Sequence, residues 1–228
     1  MTRETLMRTC IKIAAMSFIF LGSLQAAEKF ERAIVFLERN AQDEDAEVKF
    51  EVTGGETGIA ALKVSAPDGR TVIDFKSPDS KLGIRHLSLE SPEPKNDGRL
   101  QKDFPAGKYA FVATTTTGTT LQGEAMLSHK FPDVTSFVHP TPDANAVSSA
   151  RLQIKWRAVK SVSAYILVIV QEATGREVRA NLSPTTTSFF VPEGFLIPST
   201  KYKLEIGTVL PGGNKAFIET QFSTDRKR

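Results

Sequence analysis

Leu196-Ile197-Pro198-Ser199-Thr200-Lys201-Tyr202-Lys203-Leu204-Glu205-Ile206 is the stretch whose reading decides the fold. Tyr202, Leu204 and Ile206 alternate with Lys203 and Glu205, so one face is apolar and the other wet, the period-two signature of a half-buried strand. Working outward, the same alternation recurs in Leu152, Ile154 and Trp156 against Gln153 and Lys155. Tyr165 to Val170 is the most apolar run and reads as a central strand, far too short to span a membrane. A Thr-Gly turn at 174–175 leads on to Val178, and Phe189 and Val191 precede Pro192. Pro211-Gly212-Gly213-Asn214 is a hairpin loop, and Phe217 to Phe222 closes the unit before a basic tail at 225–228.

These residues resemble a fibronectin type III domain over roughly Asp133 to Thr224. The family's buried tryptophan is matched by Trp156, followed by Ala158-Val159, and its third-strand tyrosine by Tyr165. Its leucine, proline, threonine and tyrosine at the sixth strand are matched by Leu196, Pro198, Thr200 and Tyr202. The resemblance implies that Leu196 plugs one end of the core. It also implies that the Tyr202 hydroxyl reaches back to backbone near Leu196, pinning the corner between two sheets. Arg-Gly-Asp is absent, and with it the integrin-binding loop of some family members.

The first half reads as another sandwich. Val48, Phe50 and Val52 alternate with Lys49 and Glu51, and Pro67-Asp68-Gly69 makes a tight turn. Leu87 and Leu89, then Tyr109, Phe111 and Ala113, mark further strands; Thr117-Gly118-Thr119 turns the chain into Leu121 to Leu127. About seven strands fit between Ala33 and Leu127, with no amphipathic helix expected. Phe104-Pro105-Ala106-Gly107-Lys108-Tyr109-Ala110-Phe111 resembles the penultimate-strand entry of bacterial immunoglobulin-like modules. Between the halves, Lys130 to Asp143 carries Pro132, Pro140 and Pro142 and reads as a stiff linker with few long-range contacts. The expected fold class is all-β. It comprises an immunoglobulin-like β-sandwich over 28–132 and a fibronectin type III-like β-sandwich over 133–224, both antiparallel, after a signal peptide at 1–27.

That leader, Met1–Ala27, has Arg3, Arg8 and Lys12, then an apolar run from Ile13 to Leu24, then small residues at Ala26-Ala27. This is the order of parts in a secretory signal, and the run falls short of a membrane span. Export to a periplasmic or extracellular compartment, and a bacterial source, are the expectations. Without the leader the formal charge falls from +3 to about +1, which gives no field to steer the chain to nucleic acid. Cys10 is the one cysteine and lies within the leader, so the mature chain has no disulfide, thiolate ligand or thiol nucleophile. Apolar burial must stabilise it.

Candidates for chemistry are few. His86, His129 and His139 fall in separate segments, with no His-Glu-x-x-His and no Gly-x-Ser-x-Gly elbow. Asp43-Glu44-Asp45, with Glu47, gathers the oxygen ligands calcium prefers, but lacks the glycine and spacing of an EF-hand and reads as a solvated acidic loop. Asp74, Asp79 and Glu90 are weaker still. Gly54-Gly55-Glu56-Thr57-Gly58 has no following Lys-Ser and no helix behind it, so it is a turn rather than a phosphate loop. Trp156, Tyr165, Tyr202 and Tyr109 all fall at inward positions. Phe189-Phe190 must point to opposite faces, so one of them is a candidate exposed aromatic, and Phe195 in its loop is another. The threonines at 114–117, 119–120 and 185–187 suit strand ends and turns.

No catalytic, cofactor-binding or metal-binding residue is assigned, and no cofactor is expected. The expected function is an exported, non-catalytic interaction, adhesion or structural module. Its alternative is a carbohydrate-binding accessory module of a secreted polysaccharide-processing system. The partner would be a protein or glycan of the cell envelope or exterior, with neither nucleic acid nor a stable membrane span involved.

Overall fold

The structure is a computed structural model, and it describes residues 27–43, 45–79 and 81–226. The leader expected over 1–27 lies outside them but for Ala27. The first half contains β1 (Glu28–Lys29), β2 (Arg32–Asn40), β3 (Asp45–Thr53), β4 (Ile59–Ser65), β5 (Thr71–Lys76) and β6 (His86–Glu90). A helix α1 (Asp97–Asp103) follows, then β7 (Gly107–Thr115) and β8 (Thr120–Leu127). The second half contains β9 (Phe137–His139), β10 (Ala144–Val147), β11 (Gln153–Trp156), β12 (Ala164–Gln171) and β13 (Glu177–Leu182). It ends with β14 (Ser188–Phe190), β15 (Lys201–Val209) and β16 (Lys215–Thr224).

Among the described residues the fold is all-β but for α1, and each half is a sandwich with its own core. In the first, β2, β3 and β6 face the sheet β1-β8-β7-β4-β5. The inward faces of Val48, Phe50, Val52, Leu62, Tyr109 and Phe111 fill the space between them. In the second, β14-β11-β9 face β13-β12-β15-β16 around Trp156, Tyr165, Tyr202, Leu204 and Phe222. In both halves the fifth strand (β5 and β13) pairs with the fourth (β4 and β12). A constant-type immunoglobulin domain instead places the corresponding strand, D, on the sheet opposite strand C. The two halves therefore share one strand order, and the immunoglobulin-like expectation for the first holds at the level of sandwich architecture.

Both cores are pinned by a tyrosine. The Tyr202 hydroxyl donates to the Phe195 carbonyl at 3.3 Å and accepts from the Ile197 N–H at 2.9 Å, as the resemblance implied. Tyr109, equally buried at the start of β7, donates to the Pro105 carbonyl at 3.1 Å. Tyr165 packs edge-on to Trp156 at 5.7 Å and accepts from the Val159 N–H at 2.7 Å.

Two expectations need correction. Helix α1 was not anticipated. Asn96 caps it, its side chain accepting from the Arg99 N–H at 2.9 Å, and Leu100 alone is buried from its seven residues. So short an element displays too little apolar periodicity to stand out. The proline-rich segment is likewise no bare linker. Ser128 and Lys130 carbonyls accept from the Asn214 side chain, the Asp133 carbonyl accepts from Thr208 Oγ1, and Phe131 lies under the Arg39 guanidinium at 4.0 Å. The strongest link between halves is β16 itself, whose first residues pair in parallel with the end of β2: Lys215 with Glu38, Ala216 with Arg39, Phe217 with Asn40. One eight-stranded sheet, β13-β12-β15-β16-β2-β3-β6 with β10 also on β16, therefore runs through both sandwiches.

Candidate functional site

The residues considered for chemistry are scattered and already engaged. His86 lies on the outermost strand of the long sheet near Thr53 Oγ1, at 3.4 Å, and the His129 ring nitrogen Nε2 is 2.8 Å from the Phe104 carbonyl. His139 stands opposite Lys155 on β9. Asp43 and Asp45 both close the β2–β3 turn, accepting from the Asn40 side chain at 2.7 Å and its N–H at 3.2 Å. Glu44 lies outside the described residues. Asp79 accepts from the Lys81 N–H at 2.9 Å, and Asp74 is exposed on β5. Among the described residues no three histidine, cysteine or acidic side chains are grouped so as to hold a metal ion, and no helix is long and apolar enough to cross a membrane.

Residues 54–58 form a turn closed by Gly58 N–H to the Gly55 carbonyl at 3.3 Å. The threonines close another: Thr115 Oγ1 accepts from the Thr119 N–H at 3.0 Å, and Thr116 Oγ1 donates to the Thr57 carbonyl at 2.7 Å. Phe195, expected as an exposed candidate, is buried instead. Its ring packs on Tyr202 at 5.8 Å, because the loop that carries it folds under the tyrosine corner.

Of the Phe189-Phe190 pair, Phe190 is the exposed one. It ends β14, the free edge of the three-stranded sheet, and 52% of it is exposed, while Phe189 turns into the core. The Arg151 guanidinium lies 4.9 Å from the Phe190 ring, which restricts both side chains. Gln153 stands beside Phe190 and Lys155 beside Ser188, and Gln153 Nε2 donates to Ser188 Oγ at 3.3 Å. At the other edge of this sheet Val138 is 47% exposed. An edge with unpaired backbone groups, an arginine-backed aromatic and flanking polar amides suits contact with another polypeptide.

The second concentration of functional groups lies on the long sheet where the halves meet. Lys49 Nζ is within 2.9–3.2 Å of Glu38, Glu47 and Glu90, and Lys215 reaches the other oxygen of Glu38 at 3.3 Å. Lys203 bridges Glu205 and Glu219 at 2.9 and 2.7 Å. A pocket of about 170 Å³ opens here between Glu38, Asp45 and Glu47 of one half and Lys203, Glu205 and Glu219 of the other. Burial works against the Lys49 charge, yet the hydrogen bonds it donates to Glu38 and Glu47 outweigh it and hold its pKa above the ordinary lysine range. Lys203 is raised in the same way by Glu219 and Glu205. Glu47 is raised by its own burial, only partly offset by Lys49. Carboxylates outnumber the ammonium groups here, but every one of the three ammonium groups is held by at least one carboxylate, so the pocket is an ion-paired structural seam.

A pH dependence follows. Burial pushes the Tyr109 hydroxyl from 10.0 up to about 12, so the folded state holds this proton more tightly than the unfolded chain. Lys49 and Lys203 are also raised. A raised pKa contributes stability that is complete below the unfolded value and is lost as pH climbs toward the folded one. Urea midpoints should therefore hold up to about pH 10 and fall steeply toward pH 12. Tyr109→Phe should remove part of that fall. A midpoint that stays flat through this window would show that these groups titrate as they do in the unfolded chain.

No protein-family model matches the chain, and no curated protein matches it. Similar solved structures include fibronectin(III)-like modules of CbhA from Clostridium thermocellum, at 9% identity and a TM-score of 0.36 over 90% of this chain and 93% of that one. A two-domain fibronectin type III segment of chicken tenascin has 12% identity and a TM-score of 0.34 over 86% and 97%. The fn3 domain of human collagen alpha-1(XX) has 19% identity and a TM-score of 0.32 over 42% and 86%. At these scores it is the chain's own ladders and tyrosine contacts that carry the fold, two β-sandwiches of one strand order.

Proposed function

We propose that this is an exported, non-catalytic interaction protein that binds a protein partner of the cell envelope or exterior through the outer surface of its second sandwich. The observation that carries this reading is Phe190, half-exposed at the free edge of β14 and backed by Arg151. Aromatic and arginine side chains are enriched at the energetic centres of protein interfaces. A lone exposed aromatic has no row of companions on which successive sugar rings could stack, which favours a polypeptide over a glycan. The sandwich is a scaffold, and function lives in what is grafted on its surface.

The test uses the chain from Glu28 onward, as bait for the envelope fraction of its own source and on a glycan array in parallel. A captured protein should bind Phe190→Ser and Arg151→Ala at least about tenfold more weakly. Trp156 fluorescence and the melting temperature should stay unchanged. Capture that is indifferent to both substitutions, or binding to glycans alone, would overturn the reading.

A further inference from the structure

We infer that the two sandwiches form one rigid, cooperatively folding body, locked by Asn214 and Gln42, whose side-chain amides complete the hydrogen-bonding between the halves. The inference is independent of the partner-binding surface, since it concerns only how the halves are held.

Asn214 sits at the tip of the β15–β16 hairpin, a place where a polar residue ordinarily faces water. Here it is 2% exposed. Its Oδ1 accepts from the Leu37 N–H at 2.9 Å, inside β2 of the other half. Its Nδ2 donates to the Ser128 and Lys130 carbonyls, each at 2.8 Å, where the chain leaves β8. One carboxamide thus satisfies three backbone groups, and both of its donors are used. The loop reverses tightly because Gly213 has φ +94, a conformation that favours glycine, and a Cβ added there would meet Phe36 at 3.4 Å. Lys215 Nζ closes over the same ring at 4.0 Å.

Gln42 acts at the surface end of the junction. Strand β2 stops at Asn40, but its pairing with β16 does not stop there. The Ala41 N–H donates to the Phe217 carbonyl at 2.9 Å. Beyond it the Gln42 carboxamide takes the place of a peptide group, Nε2 donating to the Glu219 carbonyl at 2.6 Å and Oε1 accepting from the Glu219 N–H at 2.5 Å. The Asp143 N–H then donates to Thr220 Oγ1, and Ala144 pairs with Phe222 on β10. The free edge of β16 is occupied along its length, first by β2, then by a side chain, then by β10. Domains joined by a flexible linker move independently by default. A shared ladder with a buried three-bond amide leaves no hinge.

The experiment takes the chain from Glu28 onward, its Gln42→Ala and Asn214→Ala variants, and the double variant. Trp156 is the sole tryptophan and lies in the second half, so its fluorescence reports that half alone, while far-UV circular dichroism reports both. In the unaltered chain the two probes should melt together, and ¹⁵N relaxation should return one rotational correlation time for both halves. In the double variant the two transitions should separate by about 5 °C or more, and the two halves should tumble with different correlation times. Gln42→Ala alone, whose side chain is exposed and whose loss leaves the cores intact, should speed exchange of the Glu219 amide by up to about tenfold. Separate melting or separate tumbling in the unaltered chain would overturn the inference. So would a Glu219 amide whose exchange ignores Gln42.

Discussion

Tyr202→Ala should destabilise the protein by about 3–5 kcal/mol, the cost of truncating a large, fully buried aromatic side chain. Tyr202 is wholly inaccessible, stacks on Phe222 at 5.3 Å and packs on Phe195 at 5.8 Å, so its removal leaves a cavity that rigid strands cannot close. Tyr202→Phe separates the parts of this effect. It keeps the ring and strands two backbone groups, the Phe195 carbonyl and the Ile197 N–H, at a cost of roughly 1–2 kcal/mol. Chemical denaturation followed by Trp156 fluorescence measures both. The ordering is the test: Tyr202→Phe must cost clearly less than Tyr202→Ala and clearly more than nothing. Equal costs would mean that the hydroxyl contacts dominate, and no cost from either would remove Tyr202 from the core.

That tyrosine was readable because its strand alternates cleanly and its flanking leucine, proline and threonine are spaced as the family spaces them. Val48, Phe50 and Val52 were readable for the same reason: a strand with one face packed on a second sheet records its burial every second residue. Helix α1 records almost nothing, since one buried leucine in seven residues has no period. Its local signals are Asn96, a good N-cap, with Asp97 in the first turn and Lys102 in the last. Phe190 was half legible. Adjacent strand residues must face opposite ways, which made one phenylalanine of the pair a candidate for exposure, but the arginine stacked upon it comes from 39 residues away in a loop without pattern.

The junction was not legible. It joins positions 177 residues apart, and its key partners are backbone groups, which carry no side-chain signature. Pro211-Gly212-Gly213-Asn214 does form the hairpin its composition demands, with Leu210 N–H donating to the Asn214 carbonyl at 2.9 Å. Turn chemistry says how the chain reverses. It does not say what the reversed loop is pressed against. The same holds for Phe195, where loop placement argued for exposure and three-dimensional packing beneath Tyr202 decided otherwise.

Gly58→Ala should cost about 2–4 kcal/mol, an effect out of proportion to a single methyl group. Gly58 has φ +70, and a Cβ there would lie 2.6 Å from both the Cα and the carbonyl carbon of Gly83. Those are backbone atoms, unable to swing aside as a side-chain tip would. The crossing matters because it sits where the two sheets of the first sandwich are tied. Just beyond it Ile59 and Ile84 exchange hydrogen bonds at 2.8 and 3.0 Å, linking the start of β4 to the segment that enters β6. The Gly58 carbonyl also accepts from the Thr116 N–H at 3.2 Å. Prising the two glycines apart loosens all three bonds. Gly118→Ala is the control: its φ is +88, but nothing lies within 4 Å of the added carbon, so it carries only the backbone penalty of about 1 kcal/mol. Urea titrations by far-UV circular dichroism compare the two directly. If Gly58→Ala is no more costly than Gly118→Ala, the glycine crossing is not a tight contact, and the tie between the sheets must lie elsewhere.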